Sequence, residues 1–468
     1  MTFQMLKTEK GKDMLCCDGH IFLKEKENDT KSIWKCNQYY KNKCRGRLHL
    51  SEGKILKNTD HNHVPSSSEI QVKKTLNKLK DIACNNSDMS TQSVIGSALN
   101  QIPIESSGQL PNINILKRTI QRVRKQKLQL PNDPTDLNFI IPDEMTKTID
   151  GDLFLQYDSG INTERILIFS TARLLYLMTQ CDNWFCDGTF SSAPSLFYQL
   201  YTIHAIQYSN VLPSVYILLP NKKENTYKRM FQALKTIEPD LSPKTIMVDF
   251  EKGAMNAITS EFPEAKLKGC FFHLSQCIWR QIQAAGLQKK YIDDVNFALQ
   301  IRKLPSLAYV PENKVIESYE KLLDTKYFIE NDELLSPILN YFDDTWIGRT
   351  VRRQKRRSPT FKISIWNCYS LVSEDLPRTN NAVEGWHNCF TSILNQCHPS
   401  IWKFILALKK EENTNKIKIE QYIAGECPPA KKKYQDKAQR LKQICYDFEN
   451  RSIDDYLQGI AHNFQLQL

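Results

Sequence analysis

The order of apolar segments between residues 183 and 273 constrains the fold of this chain most. Three segments rich in aromatic and β-branched residues come first: NWFCDGTF, FYQLYTIHAIQY and VLPSVYILLP. A helical pattern, ENTYKRMFQALKTI, follows them, then the strand-like KTIMVDF, a second helical pattern and the strand-like KLKGCFFH. Three strands, a helix, a strand, a helix and a strand form an α/β order with a mixed sheet. The sequence therefore predicts an α/β domain from about residue 171 to residue 396.

Two aspartates end predicted strands of this domain. Asp249 closes the apolar run KTIMVDF, and Asp187 ends NWFCD, where Gly188 allows the backbone to be approached closely. Ligand groups of open α/β sheets collect at the carboxyl ends of strands. A buried carboxylate there is costly unless it is hydrogen-bonded or binds a metal. A single strand-end aspartate more often caps or turns the chain.

A third acid, Glu384, lies in the predicted helix NAVEGWHNCF, one turn of which can direct its side chain across the strand ends. Three carboxylates from two strands and a helix suit a pair of Mg²⁺ ions and in-line displacement at a phosphate. We therefore take Asp187, Asp249 and Glu384 as candidate catalytic residues and magnesium ligands, with Mn²⁺ as the alternative ion.

Cys270 and His273 form a C-x-x-H pair between the fifth strand and the helix after it. Both can ligate Zn²⁺, but a structural site needs two further ligands, for which His387 and Cys389 are candidates. A buried thiol and a hydrogen-bonded histidine explain the pair equally well.

A second cluster with metal-ligand character lies near the N-terminus. Cys36, Cys44, His61 and His63 are spaced C-x7-C-x16-H-x-H, and two thiolates with two imidazoles suit tetrahedral Zn²⁺. A unit as small as residues 1–64 needs a bound metal ion to fold. Four nearby residues are interpreted as non-ligands: Cys16, Cys17, His20 and His49. The segment PSSSE, residues 65–69, looks like the exit linker of this unit.

Basic and aromatic residues alternate around the first two ligands. Such a surface suits DNA, although a zinc module that binds protein remains the alternative. The residues concerned are Lys31, Lys35, Lys41, Lys43, Arg45 and Arg47, interleaved with Trp34, Tyr39 and Tyr40.

The region 65–170 carries two helical patterns, at about residues 90–101 and 112–127. The second has a basic face that includes Lys117, Arg118, Arg122 and Arg124. A helix-turn-helix that presents this helix to DNA and a basic surface helix packed on the next domain are both compatible with the pattern.

The net charge of +11 favours polyanionic partners without requiring them. The chain has 14 cysteines, and its first residues contain no apolar segment of the secretory type, so we expect a reducing intracellular setting. No stretch approaches eighteen apolar residues, so no membrane association is expected. The basic clusters RRQKRR and PPAKKK suit nuclear import signals or phosphate-contacting loops, and the expected location is the nucleus.

Four segments in order, DGTF, VDFEKGAMNAI, KGCFFHLSQCIWR and RTNNAVEGWHNCF, closely resemble the Mutator-like element (MULE) transposases. The N-terminal cluster resembles a β-rich FLYWCH-type zinc finger. The resemblance implies a ribonuclease-H-like fold whose catalytic acids correspond to Asp187, Asp249 and Glu384. It implies a helical insertion at about residues 288–377. The charged, Lys-rich sequence itself predicts a helical basic tail at residues 397–468.

The activity implied by the resemblance is metal-dependent cleavage of double-stranded DNA at terminal inverted repeats and transfer of the ends to target DNA. Transposases of this kind act as homo-oligomers on paired ends, by analogy. The alternative is a domesticated transposase that regulates transcription by binding DNA without transposition. A ribonuclease-H-like nuclease unrelated to transposition is weakened by the finger and the helical insertion.

Overall fold

The computed structural model describes residues 3–8, 11–86, 89–127, 130–208, 210–351, 355–426 and 432–466. The chain divides into two compact units, Met1–Asn132 and Asp133–Leu468. Parts of both basic clusters proposed as import signals, residues 352–354 and 428–431, lie outside the described residues. No helix in the described ranges is long and apolar enough to span a lipid bilayer.

The first unit begins with a six-stranded antiparallel meander that forms a β half-barrel. Alternate side chains of its strands, among them Leu15, Phe22, Trp34 and Leu48, are buried together and supply its core. Each strand pairs with the next along the chain. The strands are β1 (Phe3–Lys7), β2 (Asp13–Cys17), β3 (His20–Glu27), β4 (Ser32–Cys36), β5 (Arg47–Ser51) and β6 (Lys54–Asn58).

Four helices follow the half-barrel: α1 (Ser67–Asn85), α2 (Thr91–Leu99), α3 (Ile104–Ser107) and α4 (Ile113–Lys127). The segment PSSSE, interpreted above as a linker, instead starts α1. Its Ser66 Oγ accepts a hydrogen bond of 3.3 Å from the amide of Glu69, in the S-x-x-E arrangement that caps helices. Ile70 of α1 packs with Met14 and Ile21, so the helix packs directly on the half-barrel.

The two predicted helices of this region are α2 and α4. They pack with α1 around Leu79, Val94, Leu116 and Ile120, all of which are buried. This small core makes α1, α2 and α4 one helical bundle.

The second unit contains a seven-stranded sheet in the order β13-β12-β9-β10-β11-β8-β7. Strand β12 runs parallel to β9 and β13, and the other neighbours are antiparallel. Two short strands, β7 and β8, precede residue 171, where the sequence pattern placed the start of the domain. The strands are β7 (Leu155–Asp158), β8 (Leu167–Phe169), β9 (Asn183–Thr189), β10 (Gln199–Gln207), β11 (Asn210–Leu219), β12 (Thr245–Val248) and β13 (Lys266–Gly269).

Each face of the sheet has its own core. Trp184, Cys186 and Ile246 face α5 (Ala172–Thr179), α6 (Glu224–Ile237) and α7 (Lys252–Glu261). Phe185 and Met247, the alternate positions, face α8 (Phe271–Ala284) and the helices that follow it. Residues FFH, predicted as the end of the fifth strand, instead begin α8.

Most of the remaining helices enlarge the second core. The remaining helices are α9 (Gln288–Asp293), α10 (Val295–Ser306), α11 (Val315–Leu323), α12 (Lys326–Glu330), α13 (Asp332–Phe342), α14 (Ile363–Trp366), α15 (Tyr369–Ser373), α16 (Asn381–Leu394), α17 (Ile401–Ile423), α18 (Lys432–Tyr446) and α19 (Ile453–Ala461). Helix α17 instead packs on α16 and, through Ile419, on Leu174 and Leu212. The helices after residue 431 are not a separate tail, because Leu441, Cys445 and Tyr456 are buried in the core that the insertion forms.

Pro337 lies inside α13, although a proline usually interrupts a helix. A proline cannot donate to the carbonyl four residues earlier, here that of Glu333. The hydroxyl of Ser336 donates to this carbonyl at 3.2 Å and so replaces the missing bond.

Gly269 fixes the loop that follows β12. A Cβ atom at this position would lie 2.4 Å from Cζ of Phe250, whose ring packs against Trp346 and Phe361. Because Phe250 is the residue after Asp249, the missing side chain of Gly269 sets the position of this acid.

We expect Gly269→Ala to destabilise the second unit by about 1–3 kcal/mol, since the methyl group must displace a buried ring. The matched control is Gly459→Ala in α19, where the nearest atom to a new Cβ lies 3.5 Å away. That change should be neutral or stabilise by up to about 1 kcal/mol, because alanine favours a helix. Chemical denaturation of both variants checks this, and equal midpoints would contradict it.

Candidate active site and metal centre

Parallel pairing brings Asp187 and Asp249 to one edge of the sheet. The register between β9 and β12 pairs Thr245 with Asn183 and Met247 with Phe185. Continued by two residues, it places Asp249 beside Asp187, and neighbouring strands are about 4.8 Å apart. Both acids follow the alternation of Phe185 and Met247, so they lie on the face covered by α8 and α16.

Glu384 lies in the first turn of α16, and Asn380 sets the position of this helix. The side-chain amide of Asn380 donates to the carbonyl of Cys186 in β9 at 3.4 Å. Its backbone amide donates to the thiol of Cys270 at 3.2 Å. The amide of Phe271 donates to the carbonyl of Arg378 at 3.0 Å. The segment RTNN therefore ties the start of α16 to both β9 and the start of α8.

Burial raises the pKa of all three acids. The pKa of Asp187 is raised to about 8, by burial first and then by the charge of Asp249, while the Gly188 amide, 2.9 Å away, opposes the shift. The pKa of Asp249 is raised to about 6 by burial and by Glu251. The pKa of the half-buried Glu384 is raised by burial alone. These carboxylates destabilise one another when ionised, so a cation between them would be strongly favoured.

Two histidines, His387 and His204, lie behind Asp187, a place that the sequence analysis gave to neither of them. His387 Nδ1 lies 3.5 Å from Asp187 Oδ2, and His387 Nε2 lies 3.1 Å from the hydroxyl of Thr202. The same hydroxyl is 3.1 Å from Nε2 of His204. Burial lowers the pKa of His387 to about 4, so its imidazole is neutral. The E-x-x-H spacing of Glu384 and His387 is the signal that both lie on one helix face.

Cys270 and His273 lie beside this site but do not form a four-ligand centre. The Cys270 thiol is buried and accepts the amide of Asn380, and His273 Nε2 lies 3.8 Å from Glu384 Oε1. Of the two proposed partners, His387 is directed at Asp187 and Cys389 is exposed. The pair thus connects α8 to α16 through side-chain contacts.

Glu251 and Lys222 were also missed by the sequence analysis. Lys222 Nζ lies 3.2 Å from Glu251 Oε2 and 4.3 Å from the centre of the Phe190 ring. The Tyr227 hydroxyl donates to Glu251 Oε1 at 2.7 Å. Lys222 acts to lower the pKa of Asp249, so a cationic group already lies at the margin of the acids.

The N-terminal Cys/His cluster assembles in the first unit. Cys36 Sγ lies 3.2 Å from His63 Nε2, and Cys44 Sγ lies 3.3 Å from His61 Nδ1. The four ligand atoms all lie within 4.8 Å of one another. Tetrahedral Zn²⁺ with bonds of about 2.0–2.3 Å requires ligands roughly 3.3–3.8 Å apart, which fits these distances. Across the described ranges, no other group of three or more His, Cys, Asp or Glu side chains is this compact.

The surroundings of the cluster orient its ligands. His63 Nδ1 lies 3.1 Å from the carbonyl of Val64, which leaves Nε2 for a metal. The ring of His20 stacks on that of His61 with centroids 3.7 Å apart. A Cβ atom at Gly46 would lie 2.5 Å from His61 Cε1, so only glycine fits between Arg45 and Arg47. All thirteen cysteines in the described part of the chain are free.

Basic residues of the finger share a surface. Lys35 and Arg47 are partners across β4 and β5, on the face opposite Trp34. The Tyr39 ring lies 5.5 Å from Lys35 Nζ and 4.8 Å from the Arg47 guanidinium, which also pairs with Glu25 at 2.7 Å. Lys43 and Arg45 are exposed in the following loop. This cation–aromatic face is accessible to a polyanion.

The basic residues of α4 fall into two groups. Arg118 and Arg122 are exposed, and Lys117 is half-buried. Arg124 donates to the carbonyls of Ala83 in α1 and of Asn86 and Met89 after it. Its guanidinium thus holds two helices of the bundle together.

We expect the full chain to bind one Zn²⁺ ion at the Cys/His cluster, and Cys44→Ser to lose it, because a hydroxyl is a far poorer zinc ligand than a thiolate. Elemental analysis by mass spectrometry measures the zinc content per chain. The matched control is Cys84→Ser, a half-buried cysteine of α1, which should retain the ion. Equal zinc in both variants would contradict the assignment.

The raised pKa of Asp187 gives the stability a defined pH dependence. A carboxyl group with a folded pKa of about 8 and an ordinary value of 3.8 stabilises the fold when protonated, and this contribution is lost as the pH rises from about 4 to 8. With no Mg²⁺ or Mn²⁺ added, Asp187→Asn should therefore become more stable than the natural chain by roughly 1–2 kcal/mol between pH 6 and pH 8.

Denaturation midpoints at both pH values measure this difference. Asp182→Asn, which changes a half-exposed acid just before β9 that pairs with Lys244 at 2.8 Å, is the control and should show no such trend. If the denaturation midpoints of the natural chain and of Asp187→Asn changed in parallel with pH, the pKa of the Asp187 carboxyl would be ordinary.

Comparison with known protein families finds one match in each of the two units. The model of the MULE transposase domain matches residues 183–277, and that of the FLYWCH zinc finger domain matches residues 5–63. The matched ranges contain Asp187, Asp249 and the four finger ligands, whereas Glu384 lies outside them. The resemblance predicted from the sequence motifs is confirmed.

No curated protein matches the chain. Among solved structures, the chain is similar to a chain of the "Drosophila P element transposase strand transfer complex", with 11% identity and a TM-score of 0.29. The alignment covers 75% of this chain and 92% of that chain.

Proposed function

Because the chain carries a MULE transposase domain and a FLYWCH zinc finger domain, we propose that it is a DNA transposase of the three-acid type. It cleaves strands of double-stranded DNA at terminal inverted repeats and transfers the ends to target DNA. Asp187, Asp249 and Glu384 are its catalytic acids. The observation that carries the proposal is the convergence of two adjacent strand-end aspartates with a helix-borne glutamate.

The sheet order supports a ribonuclease-H-like fold for the second unit. Three antiparallel strands, β11, β10 and β9, are followed by two parallel strands, β12 and β13, each connected through a helix. Asp187 lies two residues before the end of β9 and Asp249 directly follows β12, so both acids are near the carboxyl ends of these strands, where open α/β sheets place ligand groups. Helices α9–α15 are then an insertion between the last strand and the helix of Glu384.

The residues of this site fit Mg²⁺ or Mn²⁺. The three acids offer only oxygen ligands, which hard divalent cations prefer. Asp187 is 7% exposed, and its pKa is raised by burial first and then by the neighbouring carboxylate Asp249, so the site has unbalanced negative charge when ionised. The acids are less compact than the finger ligands, as expected for carboxylates arranged around two ions.

Bound there, two divalent ions would supply the charge stabilisation that in-line displacement at a phosphate requires. The contribution of the chain itself is to position the three carboxylates. The paired strands hold Asp187 and Asp249 side by side, and Asn380 holds α16 so that Glu384 reaches the same edge. Lys222, at the margin, offers a cation to a DNA phosphate.

The first unit supplies DNA binding in this proposal. Cys36, Cys44, His61 and His63 hold Zn²⁺, and the finger binds double-stranded DNA through Lys35, Lys43, Arg45 and Arg47. Lys117, Arg118 and Arg122 of α4 add contacts to phosphates. The chain acts in the nucleus as a homo-oligomer on paired ends.

The decisive experiment is Mg²⁺-dependent cleavage of the inverted repeats that flank the gene of this chain. We expect Asp249→Asn to reduce cleavage by at least about 10³-fold, because an amide cannot replace an anionic metal ligand. DNA binding should stay within about threefold of the natural chain, since the finger is unchanged.

Asp182→Asn serves as the matched control, because this acid lies at the opposite end of β9 and should leave cleavage intact. Specific binding without cleavage by the natural chain would support the domesticated DNA-binding regulator instead. Undiminished cleavage by Asp249→Asn would remove this residue from the site.

A further inference from the structure

Behind the acids, a row of buried polar side chains crosses from the sheet to α16. His204 and Thr202 lie on β10, on the same face as Asp187, and both are at most 1% exposed. His387, on α16, is 8% exposed. Nε2 of His204 and Nε2 of His387 each lie 3.1 Å from the Thr202 hydroxyl, and His387 Nδ1 lies 3.5 Å from Asp187 Oδ2.

The atoms of this row allow one consistent direction of donation to the carboxylate. A neutral imidazole has one donor and one acceptor nitrogen, and a hydroxyl donates a single hydrogen. If His387 donates from Nδ1 to Asp187, its Nε2 must accept from Thr202. The Thr202 oxygen then accepts from Nε2–H of His204. Every contact of this row then donates toward Asp187, and bonds aligned in this way strengthen one another. The alternative acceptor for the Thr202 hydroxyl is the backbone carbonyl of Asp187, at 3.4 Å.

We propose that His204, Thr202 and His387 form a donor relay that orients the Asp187 carboxylate for metal binding, with His387 as the positioning residue. The inference rests on the proposed function, because it assigns Asp187 to the metal. A carboxylate held through Oδ2 presents Oδ1, which also accepts the Gly188 amide at 2.9 Å, to an ion. Partners that orient a ligand in this way typically contribute about 10–100-fold in metal affinity.

The composition of this region favours the relay over simple packing. The opposite sides of the same strands carry Tyr201, Ile203 and Ala205, all in an apolar core. Two buried polar side chains at Thr202 and His204 are therefore a cost that their hydrogen bonds must offset. Asp187 and Thr202 are also direct partners across β9 and β10, so the relay is fixed to the backbone that carries the acid.

The experiment combines Mn²⁺ binding with imidazole spectra on the full chain. Electron paramagnetic resonance measures free Mn²⁺, with Asp187→Asn defining the binding that depends on this acid. His387→Leu and Thr202→Val should each weaken that binding by about tenfold. His387→Asn, whose amide can donate from near the position of Nδ1, should remain within about threefold. Ser306→Ala, which removes a buried hydroxyl bonded at 2.8 Å to the Arg302 carbonyl in α10, is the matched control and should not change it.

Long-range ¹H–¹⁵N spectra of ¹⁵N-histidine-labelled protein give a second readout, independent of metal and of cleavage. With no Mn²⁺ present, His387 should be the Nδ1–H tautomer and His204 the Nε2–H tautomer, the two being assigned from His387→Asn and His204→Gln. Thr202→Val should shift both signals.

An Nε2–H tautomer of His387, or equal weakening of Mn²⁺ binding by Leu and Asn, would overturn the relay. If the natural chain showed no Asp187-dependent Mn²⁺ binding, the proposed function would fail. The tautomers would then still decide whether the relay donates to Asp187.

Discussion

The parallel pairing of β9 with β12 is the interaction on which the site depends. It places two carboxylates on neighbouring strands, in surroundings where burial raises the pKa of both. The free-energy cost of burying these two carboxylates is offset by the apolar packing of both sheet faces. Trp184 and Ile246 pack on one face, and Phe185 and Met247 on the other. The two acids are therefore held by a scaffold whose stability comes from this apolar packing and not from the acids, as expected for a functional site.

The parts of the fold with strong local patterns were predictable. Helix α6 spans the residues that its apolar periodicity indicated, and β9 to β12 follow the aromatic and β-branched runs. Strands β7 and β8 were missed because three or four residues carry too little periodicity. Helix α1 was missed altogether, and the three serines at its start look like a linker, although Ser66 and Glu69 form a capping arrangement.

Some residues of the candidate site were predictable from the sequence, and others were not. Asp187 and Asp249 are marked locally, since a charge at the end of an apolar run is unusual, whereas the place of Glu384 rested on its predicted helix and on the resemblance. Nothing in the order of residues tells how α16 lies on the sheet, because Asn380 fixes it through atoms of Cys186 and Cys270. For the same reason His387 was considered as a partner of Cys270, whereas it lies against Asp187.

The shared core of the insertion and the last helices has a consequence for synthesis of the protein. Tyr309, on the insertion side, accepts a hydrogen bond from the hydroxyl of Tyr456, which is made some 150 residues later. During translation the insertion therefore cannot complete its interior until almost the entire chain has left the ribosome. A nascent or prematurely terminated chain would carry the three acids of the second unit without the completed core behind them. In the proposed function, the order of synthesis alone would then withhold strand cleavage until the last helices are in place.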